Sequence, residues 1–333
     1  MNILITGGAG YLGSVLVNKL LAANTSFRNK TTEEKKKGHT IWAMPLFKVT
    51  VYDNLMYKQE GLTDLCYRGD FEFVYGDVRD IEKLKPYIEE ADVIIPLAAI
   101  VGAPACDKDK DLATQINTDQ VLNILKYKQE HCKVIYPNTN SGYGVGEQGV
   151  HCTEDSPLNP ISHYGKTKCA AEQAILEAGG VTLRLATVFG ASPRMRLDLL
   201  VNDFVYKAMT DGYIVLFEGH FKRNYIHVQD VALTFVYCIL NYDKLKSKAY
   251  NVGLSTANIS KNDLALKVQK YIPKFSIQSD AYAQDIDKRD YIVSNARLEN
   301  TGWNPYYTLD DGIQELIKAY SIIIPSNNKH KNI

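Results

Sequence analysis

Apolar runs and amphipathic stretches alternate along the first half of the chain. Ile3-Leu4-Ile5 is a short apolar run, and beyond it the apolar residues Leu12, Val15, Leu16 and Leu20 fall at helical spacing. This pattern predicts a strand, a turn and a helix. Val49-Thr50-Val51-Tyr52 predicts a second strand, Phe71-Glu72-Phe73-Val74 a third, Asp92-Val93-Ile94-Ile95 a fourth and Lys133-Val134-Ile135-Tyr136 a fifth. Leu112, Ile116, Val121, Leu122 and Leu125 mark one helix between the last two, and a further helix is expected over Ser162–Leu176. Strands that alternate with helices imply a parallel, doubly wound α/β sheet. The polar, basic passage from Asn24 to Lys48 interrupts the alternation and is expected to be a solvated surface insertion. The most apolar window, Val93 to Cys106, is too short to span a bilayer and contains Pro96 and Pro104. It is expected to be a buried strand that runs into a loop.

Composition narrows the class of partner. The 333 residues suffice for one large or two modest domains. Lys plus Arg equals Asp plus Glu at 38 each, so no long-range field draws nucleic acid or an anionic membrane, and neither is expected as a partner. The six cysteines contain no C-x-x-C and the seven histidines show no ligand spacing. No metal is expected, and the thiols fit a reducing, cytoplasmic setting. A strand beginning beside Met1 leaves no room for a signal peptide, which supports the same location.

The chemistry starts between the first strand and helix. Gly7, Gly8, Gly10 and Gly13 form G-x-G-x-x-G from Gly8 and G-x-x-G-x-x-G from Gly7. Such glycines permit a tight turn, close approach of a pyrophosphate and close packing of the helix, whose free N–H groups meet the phosphates. A glycine run alone also describes an ordinary turn; the flanking strand and helix favour a dinucleotide. Asp53 ends the second strand, where an acid binds ribose hydroxyls, usually about 20 residues after the glycines. The insertion accounts for the longer separation here. A carboxylate there repels a 2′-phosphate and favours NAD over NADP. Gly7, Asp53, Asp77, Ala98 and Thr139 all fall at carboxyl ends of predicted strands, where such sheets bind ligands. Beyond the fifth strand come Thr139-Asn140-Ser141 and, further on, Tyr164-Gly165-Lys166-Thr167-Lys168. Tyr164 and Lys168 share one face of a helix. A phenol titrates near pH ~10, and a nearby ammonium lowers that value and makes it a usable base. Tyr-x-x-x-Lys also describes any helix surface pair; its place after a hydroxyl-rich turn favours catalysis.

Together, Thr6 to Gly13, Asp77-Val78, Leu97-Ala98-Ala99, Thr139 and Tyr164 with Lys168 resemble the extended short-chain dehydrogenase/reductase family. More narrowly they are similar to its nucleotide-sugar epimerase/dehydratase branch. Arg184 to Gly190, Arg223 to Asp230, Tyr250 to Gly253 and Gly302 to Pro305 continue the resemblance almost to the end of the chain. It implies a Rossmann-type domain over residues 1–180, with 24–48 inserted, and a smaller substrate-binding lobe over 181–333. Segments near 181–190 and 221–240 would return to the first domain. Gly7, Gly10, Tyr11, Leu12, Gly13, Asp53, Asn54, Asp77, Val78, Leu97, Ala98 and Ala99 would hold NAD. Thr139 would bond the reacting hydroxyl, Tyr164 act as base, and Lys168 hold the nicotinamide ribose and polarise Tyr164. Arg223 and Arg289 would grip the sugar nucleotide's diphosphate, although either is also readable as a surface salt bridge. Val101, Asn140, Ser141, Thr187, Arg194, Arg196 and Asn202 complete the expected substrate contacts, with a solvated loop as the alternative for Arg194 and Arg196. The helices near Leu112–Tyr127 and Ser162–Leu176 resemble those through which the family forms homodimers.

Departures from the pattern sharpen the reaction. Family dehydratases carry acids after the threonine, where this chain has Asn140 and Ser141, so dehydration is disfavoured. Thr187 replaces the usual substrate-binding Asn. The segments Leu97 to Cys106, Pro137 to Gly144 and Ser192 to Asn202 are most similar to bacterial GDP-heptose 4-dehydrogenases that modify capsule sugars. The sequence therefore implies NAD-dependent oxidation at C4 of a nucleoside-diphosphate sugar. A 4-epimerase of the UDP-glucose type shares the first step. A non-catalytic NAD-binding sensor shares the fold, but such proteins commonly lose the Tyr/Lys pair.

Overall fold

The computed structural model describes residues 1–28, 46–147, 149–280 and 290–325. The first part of the chain runs β1 (Asn2–Thr6), α1 (Tyr11–Arg28), β2 (Lys48–Asp53), β3 (Phe71–Tyr75), α2 (Ile81–Glu90) and β4 (Val93–Pro96). It continues with α3 (Ala103–Lys108), α4 (Lys110–Thr114), α5 (Gln120–Tyr127), β5 (Lys133–Thr139), β6 (His151–Cys152) and α6 (His163–Glu177). Next come β7 (Val181–Leu185), β8 (Thr187–Phe189), α7 (Leu200–Thr210), β9 (Tyr213–Phe217), β10 (Lys222–His227) and α8 (Val228–Leu240). The last are α9 (Tyr242–Leu245), β11 (Lys248–Val252), β12 (Asn258–Ser260), α10 (Lys261–Tyr271), β13 (Ser276–Asp280), β14 (Ile292–Val293), α11 (Ala296–Glu299) and α12 (Leu309–Ile323).

Seven strands form one sheet in the order β11-β7-β5-β4-β1-β2-β3. β1 pairs in parallel with β2 and β4, β2 with β3, and β4 with β5. The fold is a Rossmann-type, doubly wound sheet. The strand order reverses between β1 and β4, the point where such sheets open a crevice for ligands. Ile3, Leu4 and Ile5 of β1 and Val93, Ile94 and Ile95 of β4 are all buried, as strands covered on both faces require. Each such side chain contributes about 1.5–3 kcal/mol when fully buried.

The chain forms two compact units. Unit 1 is Met1–Pro137, Ala170–Thr182 and Ala232–Lys248; unit 2 is Asn138–Cys169, Leu183–Val231 and Ala249–Ile333. In unit 1, Val121 of α5, Val134 and Tyr136 of β5, and Ala171 and Ile175 of α6 make one core cluster. In unit 2, β10 lies between β8, which it pairs in parallel, and β12, which it pairs antiparallel. α12 is opened by a capping box between Thr308 and Asp311. Its Tyr320 hydroxyl donates to the Asn202 carbonyl of α7 at 2.9 Å.

Three elements differ from the periodicity. The passage expected to be a loop from Asn24 is helical as far as Arg28. Asn24 is buried because its amide is a staple: Nδ2 donates to the Phe47 carbonyl at 2.7 Å and Oδ1 accepts the Phe47 N–H at 2.9 Å. The rest of the expected insertion, residues 29–45, lies outside the described residues. Ala103–Lys108, expected as loop, is a short helix that starts after Gly102 with Pro104 in its first turn, where proline is tolerated. The single helix expected across Leu112 to Leu125 is two helices joined by a π turn, Gln115–Asp119. The turn widens around Asn117, whose amide is spent on backbone outside the helix.

Candidate active site

Unit 1 carries the glycine cradle. Gly7 has φ +69°, and a Cβ there would lie 2.5 Å from the Ala98 nitrogen. A Cβ on Gly13 would lie 2.6 Å from the Gly8 backbone, so α1 can start close to the turn only with glycine at both places. The turn is tied to β2 by Asp53, which is buried: Oδ2 accepts the Ala9 N–H at 3.0 Å and Oδ1 the Leu55 N–H at 2.8 Å. Tyr11 is buried and Leu12 half-buried at the start of α1. A cradle that a side chain would fill, beside a helix start and a buried carboxylate, fits a dinucleotide.

At the end of β3, Arg79 grips Asp77 with two bonds of 2.9 and 2.8 Å and holds its carboxyl below the usual range. Asn54, next to Asp53, accepts the Met56 N–H at 3.1 Å, and Val78 is buried. Beyond β4, Leu97, Ala98 and Ala99 are half-buried and Val101 is exposed. Two residues not read from the sequence hold this loop. Gln120 donates to the Ala98 carbonyl at 3.1 Å; Asn117 accepts the Ile100 N–H at 2.9 Å and donates to its carbonyl at 3.1 Å. The available signal was two amides placed among the buried apolar positions Ile116, Val121 and Ile124.

Unit 2 carries the hydroxyl-rich turn and the Tyr/Lys helix. Thr139 ends β5, and its Oγ1 accepts the Ser141 N–H at 3.1 Å and bonds the Ser141 hydroxyl at 3.0 Å. Asn140 is buried, and among the described residues neither polar atom of its amide has a partner. Two glycines bring this turn against α6. A Cβ on Gly142 would lie 2.8 Å from Cys169 Sγ, and one on Gly165 would lie 3.4 Å from the Ser141 carbonyl. Tyr164 and Lys168 sit one turn apart on α6, Tyr164 half-buried and Lys168 only 4% exposed. Behind the turn, the Tyr143 hydroxyl donates to Asn251 at 2.7 Å and accepts from Arg184 at 3.0 Å. Burial pushes the Tyr143 phenol up to about 12 despite Arg184, so it stays a neutral structural donor.

Residues 3–253 of the chain match the family described as Epimerase, NAD dependent epimerase/dehydratase family. The chain belongs to that family. It is an enzyme, and its cofactor is NAD. A CDP-paratose 2-epimerase from Salmonella typhi is 25% identical over 355 residues, which span 95% of this chain and 98% of the relative. A UDP-glucose 4-epimerase from Lacticaseibacillus casei is 25% identical over 356 residues, with 96% and 95% covered. The fold is shared with the dTDP-glucose 4,6-dehydratase DesIV from Streptomyces venezuelae, at a TM-score of 0.81 and 21% identity, with 99% and 100% covered. These similar proteins carry the names of three different reactions, so the family leaves the chemistry at the sugar open.

Apart from Val101, the expected substrate residues are spread over several elements of unit 2. Arg223 on β10 is 4% exposed, lies over the Tyr291 ring at 5.7 Å, and donates to the Lys222 carbonyl at 2.9 Å. Thr187, on the neighbouring β8, is half-buried opposite Tyr225. Arg194 is buried, and Arg196 is paired with Asp198 through Nε at 3.2 Å and Nη2 at 2.5 Å. Burial raises the Asp198 carboxyl, but Arg196 outweighs it and holds it below the usual range. Asn202 is fully buried with its amide engaged by backbone: Oδ1 accepts the Gly190 N–H at 3.1 Å and Nδ2 donates to the Arg196 carbonyl at 2.8 Å. Arg289 lies outside the described residues. Among the described residues, no group of three or more His, Cys, Asp or Glu can hold a metal ion. No helix among them is long and apolar enough to cross a membrane.

Proposed function

We propose that this enzyme oxidises the C4 hydroxyl of a nucleoside-diphosphate sugar and releases the 4-keto sugar, with a GDP-heptose as the substrate favoured by the sequence resemblance. The observation that carries it is the turn after β5. Thr139 is followed by Asn140 and Ser141, both buried and neither able to serve as a carboxylic acid or its conjugate base. A ketone formed at C4 activates the neighbouring C5 proton. Eliminating water across C5 and C6 would still need a base for that proton and an acid for the leaving hydroxyl. Without such a pair the 4-keto sugar does not lose water.

Bound NAD supplies the hydride acceptor for C4. Thr139 bonds the hydroxyl, and Tyr164, as phenolate, takes its proton. Lys168 stabilises that phenolate, a role for which an ammonium kept from water is electrostatically stronger. Arg223, with Arg194 and Arg196, meets the diphosphate. A second reading, 4-epimerisation, is favoured by the likeness to a UDP-glucose 4-epimerase and differs only in returning the hydride in place. We further place the enzyme in the cytoplasm as a homodimer; Leu122, left exposed on α5, is consistent with a helix-mediated pair.

The test incubates the NAD-loaded protein with UDP-, GDP- and dTDP-sugars, with and without a 2-keto acid acceptor, and reads the products by NMR. A 4-keto sugar supports the main reading and an epimer the second; unchanged sugars throughout defeat both. Tyr164→Phe is expected to keep NAD affinity and lower turnover by about 10²–10⁴-fold, the usual worth of a general base.

A further inference from the structure

The loop from Gly190 to Leu199, which joins β8 to α7, is tied to the C-terminal helix by one carboxylate. Gly190 has φ +113°, and a Cβ there would lie 2.5 Å from His227 Nε2, so the loop leaves β8 directly against that imidazole. His227 is fully buried at the end of β10, stacked on Tyr307 at 4.6 Å and edge-on to Phe189 at 5.3 Å. The Gln229 N–H points at Nδ1, 3.3 Å away, which leaves the proton of a neutral ring on Nε2. That nitrogen lies 2.6 Å from Glu315 Oε2 of α12, and the same oxygen accepts the Ala191 N–H at 3.1 Å. The second residue of the loop and the end of β10 therefore share one acceptor. A few residues on, the Asn202 amide closes Gly190 onto Arg196, so the segment that carries Arg194 is a fixed ring of chain. Within it, the Ser192 hydroxyl accepts the Arg194 N–H at 3.2 Å, and Arg194 Nη1 reaches the Met195 carbonyl at 3.4 Å.

We propose that Glu315 is a positioning residue for substrate binding: it sets, through Ala191, where the loop presents Arg194 to the diphosphate of the sugar nucleotide. The proposal rests on the diphosphate role assigned above to Arg194. Glu315 touches neither cofactor nor substrate. Its effect is expected in the affinity for a nucleoside diphosphate and not in the affinity for NAD, which the glycine cradle holds.

The test measures binding of GDP and UDP to the NAD-loaded enzyme by calorimetry, in a cycle of Glu315→Leu, Arg194→Ala and the double variant, beside Glu315→Gln. Glu315→Leu is expected to weaken the nucleoside diphosphate that wild type binds by about 10-fold, while NAD affinity stays within about 2-fold. Glu315→Gln keeps an acceptor oxygen for both donors and is expected to stay within about 3-fold of wild type. The double variant should bind no more weakly than Arg194→Ala alone, because a positioning residue has nothing left to place. Unchanged binding in Glu315→Leu, additive losses in the cycle, or an equal loss of NAD affinity would each overturn the proposal. Wild type binding neither GDP nor UDP would instead overturn the diphosphate reading beneath it, and the proposal with it.

Discussion

Asn140 places a cost in stability on one side chain. An amide buried with neither atom partnered costs about 1–3 kcal/mol for each unsatisfied group. Asn140→Leu, nearly the same volume without the polar atoms, is expected to raise unfolding stability by about 1 kcal/mol or more in urea titrations. A loss of stability would show that the amide is already satisfied in the resting enzyme. Residues of this kind separate what a sequence reveals from what it hides. The positions of Gly7, Asp53, Thr139, Tyr164 and Lys168 were legible because spacing alone gives them: a turn, a strand end, one face of a helix. Asn117, Gln120 and Glu315 were not, because their partners Ile100, Ala98 and Ala191 are remote in the chain and become neighbours only once it folds.

Among the elements, β1, β4 and β5 were readable because strands covered on both faces are nearly continuous apolar runs, and β2 and the edge strand β3 because β-branched and aromatic residues cluster in them. The π turn, the extension of α1 to Arg28 and the short α3 were not. Each exists through a bond or dihedral outside its own periodicity: Asn117 to Ile100, Asn24 to Phe47, the positive φ of Gly102. The loop between β8 and α7, from its sequence either a substrate contact or a solvated loop, is built as a ring around the Asn202 amide. Asn202→Ala would remove the hydrogen bonds its amide makes to the buried Gly190 N–H and to the Arg196 carbonyl. A destabilisation of about 2–4 kcal/mol in chemical denaturation is expected. A value below ~0.5 kcal/mol would mean that the ring closes without that amide.

For the molecule as a whole, buried phenols set the alkaline limit of folding. Burial pushes Tyr52 up to about 12, with Asp80 and Asp77 adding to it, and Tyr143 to about 12 as well. A phenol in the unfolded chain ionises near pH ~10. These groups hold their protons more tightly when folded, so their contribution is complete below pH ~10 and is lost as pH rises through about 12. Phenolate absorbance at pH ~11 should therefore show a fraction of the 22 tyrosines still protonated until denaturant is added. Ionisation of all of them without unfolding would contradict the burial of these two. At the acid end the sign reverses. Asp77 and Asp198, held low by Arg79 and by Arg196, favour folding above the ordinary carboxylate range, and that help fades as pH falls below it.

The Asn24 staple has an evolutionary meaning. Because its two hydrogen bonds join the chain before and after the connection at a single point, α1 and β2 do not register how much polypeptide passes between them. Doubling such an excursion costs only about 0.6 kcal/mol in closure entropy. The join is thus a place where a lineage can accept or discard sequence without disturbing Asp53 and the turn it holds, and where an engineer can graft a tag, an epitope or a reporter.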